Sequence, residues 1–449
     1  MPLHIPASLD GLLSLFADCF TKPTLQTFRA LVIGQISQPG PRTVTGMLVG
    51  ARLSRVWDHC RAHRFFSRAR WSPDALGLRL AETIVERLVP VGGAVVIAID
   101  DTLFARLGRK VHGTFWHYDA TANAKAHTYA WGNSWVVAGV VVPVPFCERS
   151  ICLPILFRLW RPRRSHIPKN APDPDRPSKP ELARQIVDLL ADRLSGRTVH
   201  VVADSAYGSR AWRGVGERIS VTFRLRKDAA LFEPAPPRSG GRGRPATRGA
   251  RCAGISQIAH DPETMWSATE VTRYATTKEV SVHDRHCVWP RALLATPVRL
   301  IVVADPSRTA GHEFALLTTD QHTAPAALIE RYADRWSIEV AFEDAKQLAG
   351  VGDARNRVRT AVERTVPFQF LCMTLTFVWY AMSGHHPEVV AEHRARAPWY
   401  RTKTSPSFAD MLAKLRRVII AAQYRPGRGQ DPTTAEISEV QHAWAAAGV

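Results

Sequence analysis

Three carboxylates stand where an apolar run stops or where a helix would turn a charged face outward. Residues 94–99, Ala-Val-Val-Ile-Ala-Ile, form a continuous β-branched run that ends in Asp100-Asp101-Thr102. Residues 198–203 end the same way, at Asp204. Such runs predict strands buried on both faces, and the C-terminal edge of such strands is where α/β sheets hold ligands. An aspartate that ends a strand is also a common turn residue, so neither makes a site by itself. The third carboxylate is Glu339, in the stretch Tyr332-Ala333-Asp334-Arg335-Trp336-Ser337-Ile338-Glu339-Val340-Ala341-Phe342-Glu343-Asp344-Ala345-Lys346. At 3.6 residues per turn, Tyr332, Arg335, Glu339 and Lys346 fall within about 60° of one another. A solvated face with i,i+4 ion pairs would look the same. Carboxylates gathered at one sheet edge are hard oxygen ligands for divalent ions. A pair of such ions about 3.5–4 Å apart activates water and stabilises the alkoxide leaving group in phosphodiester cleavage. Strand alternation sends Asp100 and Asp101 to opposite faces, so only one of them can serve.

Elements must exist to hold these groups. Residues 1–88 show helical periodicity, with Leu9, Leu12, Leu13 and Phe16 on one stripe, and Arg52, Arg55, Arg61, His63, Arg64, Arg68 and Arg70 crowd its later half. Strands are expected at 94–99, 135–144, 151–159 and 198–203, with an amphipathic helix over 181–194 between the last two. That alternation predicts a mixed α/β sheet. After a short strand at 220–226 the chain runs through Pro-, Gly- and Arg-rich residues 234–245, a composition that builds no core. Residues 251–300 contain strand-like pieces, and 299–304 with 313–318 read as a strand pair. A long helix is expected over 324–348 and a second over 358–382, followed by a helical, basic remainder.

Composition narrows the function. The chain has 449 residues, 45% apolar and 22% charged, the balance of a globular protein of several domains. Lys plus Arg number 59 against 40 for Asp plus Glu, a net charge of +19 that suggests a polyanionic partner, nucleic acid first among them. The longest apolar run, 370–382, is shorter than a membrane span, so no membrane is expected. The N-terminal residues lack the basic and apolar regions of a secretion signal, and the seven scattered cysteines form no CxxC pair. The chain reads as cytoplasmic.

The spacing Tyr-x2-Arg-x3-Glu-x6-Lys at Tyr332, Arg335, Glu339 and Lys346, with Trp336 and Ile338 between, resembles the signature of a bacterial insertion-sequence transposase superfamily. These are cut-and-paste DDE enzymes that excise DNA through a hairpin intermediate. The resemblance extends over about residues 90–385. Asp100-Asp101-Thr102 is similar to the family's first-aspartate motif, and Val201-Val202-Ala203-Asp204-Ser205-Ala206-Tyr207 to its second.

The resemblance implies an α/β fold: an RNase H-like catalytic core interrupted by a mainly β insertion, with a helical N-terminal DNA-binding region and a helical C-terminal region. The expected boundaries are 1–88 for the DNA-binding helices, 89–210 and 316–385 for the two parts of the core, 211–315 for the insertion with its basic arm, and 386–449 for the C-terminal helices. Asp100, Asp204 and Glu339 would be catalytic and would hold two Mg²⁺ ions, for which Mn²⁺ would substitute. The Asp-x-Thr match favours Asp100 over Asp101. Tyr332, Arg335 and Lys346 would contact phosphates near the cleaved end, unless Tyr332 packs in the core and only the cations meet DNA. Hairpin formation extrudes a base onto an aromatic of the insertion. The matching position is Phe314, in Phe314-Ala315-Leu316-Leu317-Thr318, where the family's pattern has Trp; Trp266 or Trp289 are the other candidates. Arg242 and Arg244, in Arg242-Gly243-Arg244-Pro245, resemble a minor-groove hook.

The implied activity is that of a DNA transposase acting on double-stranded DNA, both terminal inverted repeats and target, as a homodimer in the synaptic complex. A structure-specific nuclease on the same core would need the carboxylates but not the Tyr/Arg/Lys face. A transposase-derived DNA-binding protein would most simply have lost a carboxylate.

Overall fold

A computed structural model describes residues 3–118, 129–165, 173–237, 246–307, 311–397, 399–424 and 431–446. Five helices come first: α1 (Ala7–Ser14), α2 (Lys22–Ser37), α3 (Val44–Gly50), α4 (His59–Ser67) and α5 (Pro73–Leu88). Thr43, Asp58 and Ser72 cap the last three by accepting a hydrogen bond from a first-turn N–H. Strands β1 (Val95–Ala105), β2 (Phe115–Tyr118), β3 (Tyr129–Val142) and β4 (Ile151–Trp160) follow, then α6 (Lys179–Arg193), β5 (Val199–Ala203) and β6 (Ile219–Arg224). The next segment carries the short helix α7 (Ile255–His260), β7 (Ser267–Arg273), β8 (Thr276–Val288), one turn of helix α8 (Pro290–Leu293), β9 (Pro297–Ala304) and β10 (Phe314–Thr318). The chain closes with α9 (Pro325–Asp334), α10 (Ser337–Gln347), α11 (Arg359–Trp379), α12 (Glu388–Arg396), α13 (Phe408–Tyr424) and α14 (Thr434–Ala446).

All the strands join one mixed sheet in the order β2-β3-β1-β5-β6-β10-β9-β8-β7, with β4 also on β3. β1 runs antiparallel to β3 and parallel to β5, and β5 is parallel to β6. This mixed α/β architecture, with helices at both ends of the chain, is the one expected of an RNase H-like core. β6 lies inside the span 211–315 expected to form the insertion, yet it pairs in the central sheet. Its other edge carries β10, so the mainly β segment continues the core sheet and does not stand apart from it.

Two expectations need correction. β1 does not stop at the aspartates. Its parallel pairing with β5 ends at Ile99↔Ala203, but antiparallel pairing with β3 continues to Ala105↔Gly132, so Asp100 and Asp101 lie within the strand. Nor is 324–348 one helix, because α9 and α10 meet at a tightened turn. Arg335, Trp336 and Glu339 each donate their N–H to the carbonyl three residues back, and the Ser337 hydroxyl takes the Asp334 carbonyl at 2.6 Å. The turn serves packing on a twisted sheet. α9 covers the apolar face made by Val271, Val280, Val282, Ile301, Val303 and Leu316, whereas α10 lies over β1 and β4.

α11 is the hub of the main core. Phe104 and Phe157 of the sheet meet Phe370, and Phe28, Phe65 and Phe66 of the N-terminal helices meet Phe368. One hydrophobic core therefore runs from Leu9 to Val440 and includes the N-terminal helices. The helical stretch from Arg359 to Gly384 is long and apolar enough to cross a membrane, but 89% of its apolar window is buried inside the protein.

Candidate active site

Pairing register sets the first two carboxylates side by side. Ile99 and Ala203 are the last partners of the parallel β1–β5 ladder, so Asp100, within β1, lies beside Asp204, the first residue past β5. Neighbours in a parallel ladder point to the same face. Asp204 also shapes its own turn, accepting the Ala206 N–H at 2.9 Å. Asp100 accepts the Asp101 N–H at 2.8 Å.

Glu339 arrives from α10, and Arg335 ties it to Asp100. The guanidinium donates from Nη1 to Asp100 Oδ2 at 2.9 Å and from Nη2 to Glu339 Oε1 at 2.7 Å. One cation thus spans two carboxylates from separate elements, with Asp204 beside them. Burial pushes the Asp100 carboxyl up to about 7; Arg335 opposes this, while Asp204 and Asp101 add to it. Burial alone would lower the Arg335 pKa, but Asp100, Tyr332 and Glu339 outweigh it and hold the guanidinium firmly protonated.

The two adjacent aspartates divide as alternation requires. Asp101 faces α6, where Lys179 Nζ lies 2.5 Å from Oδ2, the Tyr207 hydroxyl donates to Oδ1 at 3.4 Å and Ser134 Oγ lies 3.5 Å away. Lys179 can reach it because the Ser178–Glu181 capping box starts α6 at that point. Burial raises the Tyr207 pKa well above its ordinary value, helped by the three neighbouring aspartates. Lys179 and Ser134 are functional-looking residues that sequence reasoning missed, since no local pattern joins them to Asp101.

The remaining candidates gather unevenly. Tyr332 is half-buried at the edge of the second apolar cluster, its ring stacked on Phe314 at 6.3 Å and 5.8 Å from the Arg335 guanidinium carbon. Burial raises its phenol pKa. Phe314 is half-buried too, with the Arg273 guanidinium 5.4 Å from its ring centre. Lys346 is exposed, 5.6 Å from the Phe104 ring on the face of β1 that carries Asp100. Glu343 is exposed and accepts from Gln347 at 3.1 Å. Trp289 packs on the loop after Asp204, so tightly that a Cβ at Gly208 would come within 3.1 Å of its ring; Trp266 lies instead against His283. Arg242 and Arg244 lie outside the described residues.

The donor set suits divalent ions. Asp100 and Glu339 share one guanidinium, Asp204 lies near Asp100, and burial opposes the charge on Asp100. Hard oxygen ligands of this kind fit Mg²⁺ or Mn²⁺.

Sheet order and carboxylate placement together define the class, an RNase H-like α/β fold. The chain belongs to the DDE superfamily endonucleases, whose family model matches residues 15–287. It is a transposase-like nuclease, and a nuclease domain of this family implies DNA as substrate. The matched residues include Asp100 and Asp204 and end before Glu339. No curated protein matches the chain.

Proposed function

We propose that this protein is a DNA transposase that binds the terminal inverted repeats of an insertion sequence, excises the element through a hairpin intermediate and joins it to target DNA. The observation that carries this reading is the Arg335 bridge, which gathers Asp100 and Glu339 next to Asp204 from three elements separated by long stretches of chain. Asp100, Asp204 and Glu339 would hold two Mg²⁺ ions, or Mn²⁺ in their place, and these supply an activated nucleophile and charge stabilisation for the leaving 3′ oxygen. The same three carboxylates serve nicking by water, attack of the freed 3′-OH on the opposite strand, reopening of the hairpin and strand transfer, because each step is a phosphodiester displacement.

Tyr332, Arg335 and Lys346 grip phosphates of the cleaved end, the arginine through its bidentate fork and the lysine as a point charge. Phe314 receives the base extruded from the hairpin, with Trp289, beside the Asp204 loop, as the other candidate. The exposed Arg64 of α4, with the exposed Arg52, Arg55, Arg68 and Arg70 in the turns on either side of that helix, would give the N-terminal region a basic surface for the inverted repeat. Arg242 and Arg244 add minor-groove contacts. A homodimer would pair the two ends, and the protein would work in the cytoplasm at the nucleoid.

The test is Glu339→Gln, assayed on a labelled end duplex taken from the DNA flanking the gene. Cleavage should be abolished while binding of the end stays within about threefold, since a metal ligand is lost and little phosphate contact. Undiminished cleavage would overturn the assignment.

A further inference from the structure

The bridge that gathers the carboxylates also occupies them. Arg335 is 11% exposed and uses both terminal nitrogens on Asp100 and Glu339, the oxygens proposed above as metal ligands. Its remaining nitrogen, Nε, is buried and has no hydrogen-bond partner among the described residues. A buried donor without an acceptor is costly, and a phosphate oxygen would satisfy it. The residue sits at the tightened turn between α9 and α10, and the Tyr332 ring beside it offers a flat surface along which a guanidinium can shift.

Charge counting gives the direction of the exchange. Asp100, Asp204 and Glu339 against Arg335 leave two net negative charges. Two divalent ions would turn that into two net positive charges, with a guanidinium wedged among them. Ions and guanidinium then compete for the same oxygens, and a DNA phosphate resolves the conflict by taking the arginine.

We infer that Arg335 is a resident counter-cation of the carboxylate site that trades Asp100 and Glu339 for a DNA phosphate, so that metal loading and DNA binding each favour the other. This rests on the reading of Asp100, Asp204 and Glu339 as metal ligands. Without DNA the guanidinium occupies two of the three carboxylates and the site binds metal weakly, which keeps the nuclease idle away from its substrate. With DNA the guanidinium leaves, and the same carboxylates become available.

The experiment reads metal binding, not cleavage. Mn²⁺ is titrated into the full-length, DNA-free protein and free Mn²⁺ is followed by electron paramagnetic resonance. Arg335→Gln should tighten Mn²⁺ binding on the order of tenfold, because a unit charge a few ångströms from a dication has been removed. Arg335→Lys, which keeps the charge but cannot span both carboxylates, should fall between wild type and Arg335→Gln. Glu339→Gln and Asp100→Asn should weaken binding. Fluorescence anisotropy of a mixed-sequence duplex gives the reciprocal measurement: Mn²⁺ should raise DNA affinity in wild type, and by a smaller factor in Arg335→Gln.

Should Arg335→Gln bind Mn²⁺ no more tightly than wild type while Glu339→Gln binds it more weakly, the ligand assignment stands and the exchange is overturned. Should neither Glu339→Gln nor Asp100→Asn weaken binding, the ligand assignment itself fails, and the exchange with it. A near-ultraviolet circular dichroism spectrum confirms that each variant is folded. If Arg335→Gln is not, the Arg335→Lys affinity alone decides: tighter than wild type supports the exchange, equal or weaker overturns it.

Discussion

Asp100 and Asp101 are adjacent, identical in type and opposite in surroundings. Asp100 shares a face with Asp204 and Arg335, while Asp101 is neutralised by Lys179 and touched by Tyr207. Asp100→Asn should therefore abolish cleavage, while Glu339 still pairs the Arg335 guanidinium. Asp101→Asn should retain most cleavage but lose about 1–3 kcal/mol of stability, because Lys179 is left without its counter-charge in a partly buried position. Urea unfolding beside a cleavage assay separates the two outcomes, and the reverse ranking would move the ligand to Asp101. Lys346, exposed beside the Phe104 ring, probes phosphate grip apart from the Asp100–Arg335–Glu339 bridge. Bending a strand into a hairpin forces phosphates together, so Lys346→Ala should slow hairpin formation on the order of tenfold to a hundredfold more than nicking. A time course that resolves both products on a denaturing gel reads this directly.

At the scale of elements, the placement of α9 decides where Tyr332 and Arg335 stand, and a polar cluster at the β10–α9 connection secures it. Asp320 accepts the His322 and Thr323 N–H groups and the Thr323 hydroxyl, with His200 3.6 Å away. His200, with these groups, holds the Asp320 carboxyl well below the usual carboxylate range. A depressed carboxyl stabilises the fold fully above its unfolded pKa, and that contribution is lost as the pH falls through lower values. Asp320→Asn should then cost about 1–3 kcal/mol at neutral pH. The gap from wild type in urea unfolding should stay flat from about pH 8 to pH 5 and narrow below about pH 4. A gap that grew on acidification would contradict the assignment.

Across the whole molecule, a net charge of +19 sits on a chain whose N-terminal helices, sheet and C-terminal helices share a core around α11. The exposed arginines in and around α4 are thus mounted on the same core as the nuclease, an arrangement that would let the proposed end binding act together with cleavage. The arm carrying Arg242 and Arg244 can be tested through salt dependence alone. Each phosphate contact contributes about 0.9 to the slope of log affinity against log salt on duplex DNA. Arg242→Ala with Arg244→Ala should lower that slope by nearly two such increments, and an unchanged slope would make the segment a linker.

Much of the candidate site was legible in the chain because its signals are local. Apolar β-branched runs ending in Asp100 and Asp204 predict buried strands whatever surrounds them, and the Tyr-x2-Arg-x3-Glu-x6-Lys spacing, read as a single helix and singled out by its resemblance, marks Tyr332, Arg335, Glu339 and Lys346, which the structure divides between α9, the turn after it and α10. The mixed α/β class followed from the alternation of such runs with amphipathic helices. What stayed hidden depends on partners far along the chain. β1 continues past its aspartates because β3 pairs with it to Ala105, a contact no window around Asp100 contains. The helix breaks at Arg335 because its two halves pack on differently oriented parts of a twisted sheet. Lys179 reaches Asp101, and Arg335 spans Asp100 and Glu339, only once the strands and helices are assembled. Periodicity and spacing decide which groups a segment can offer, whereas the non-local pairing of strands and the packing of helices decide which of those groups meet.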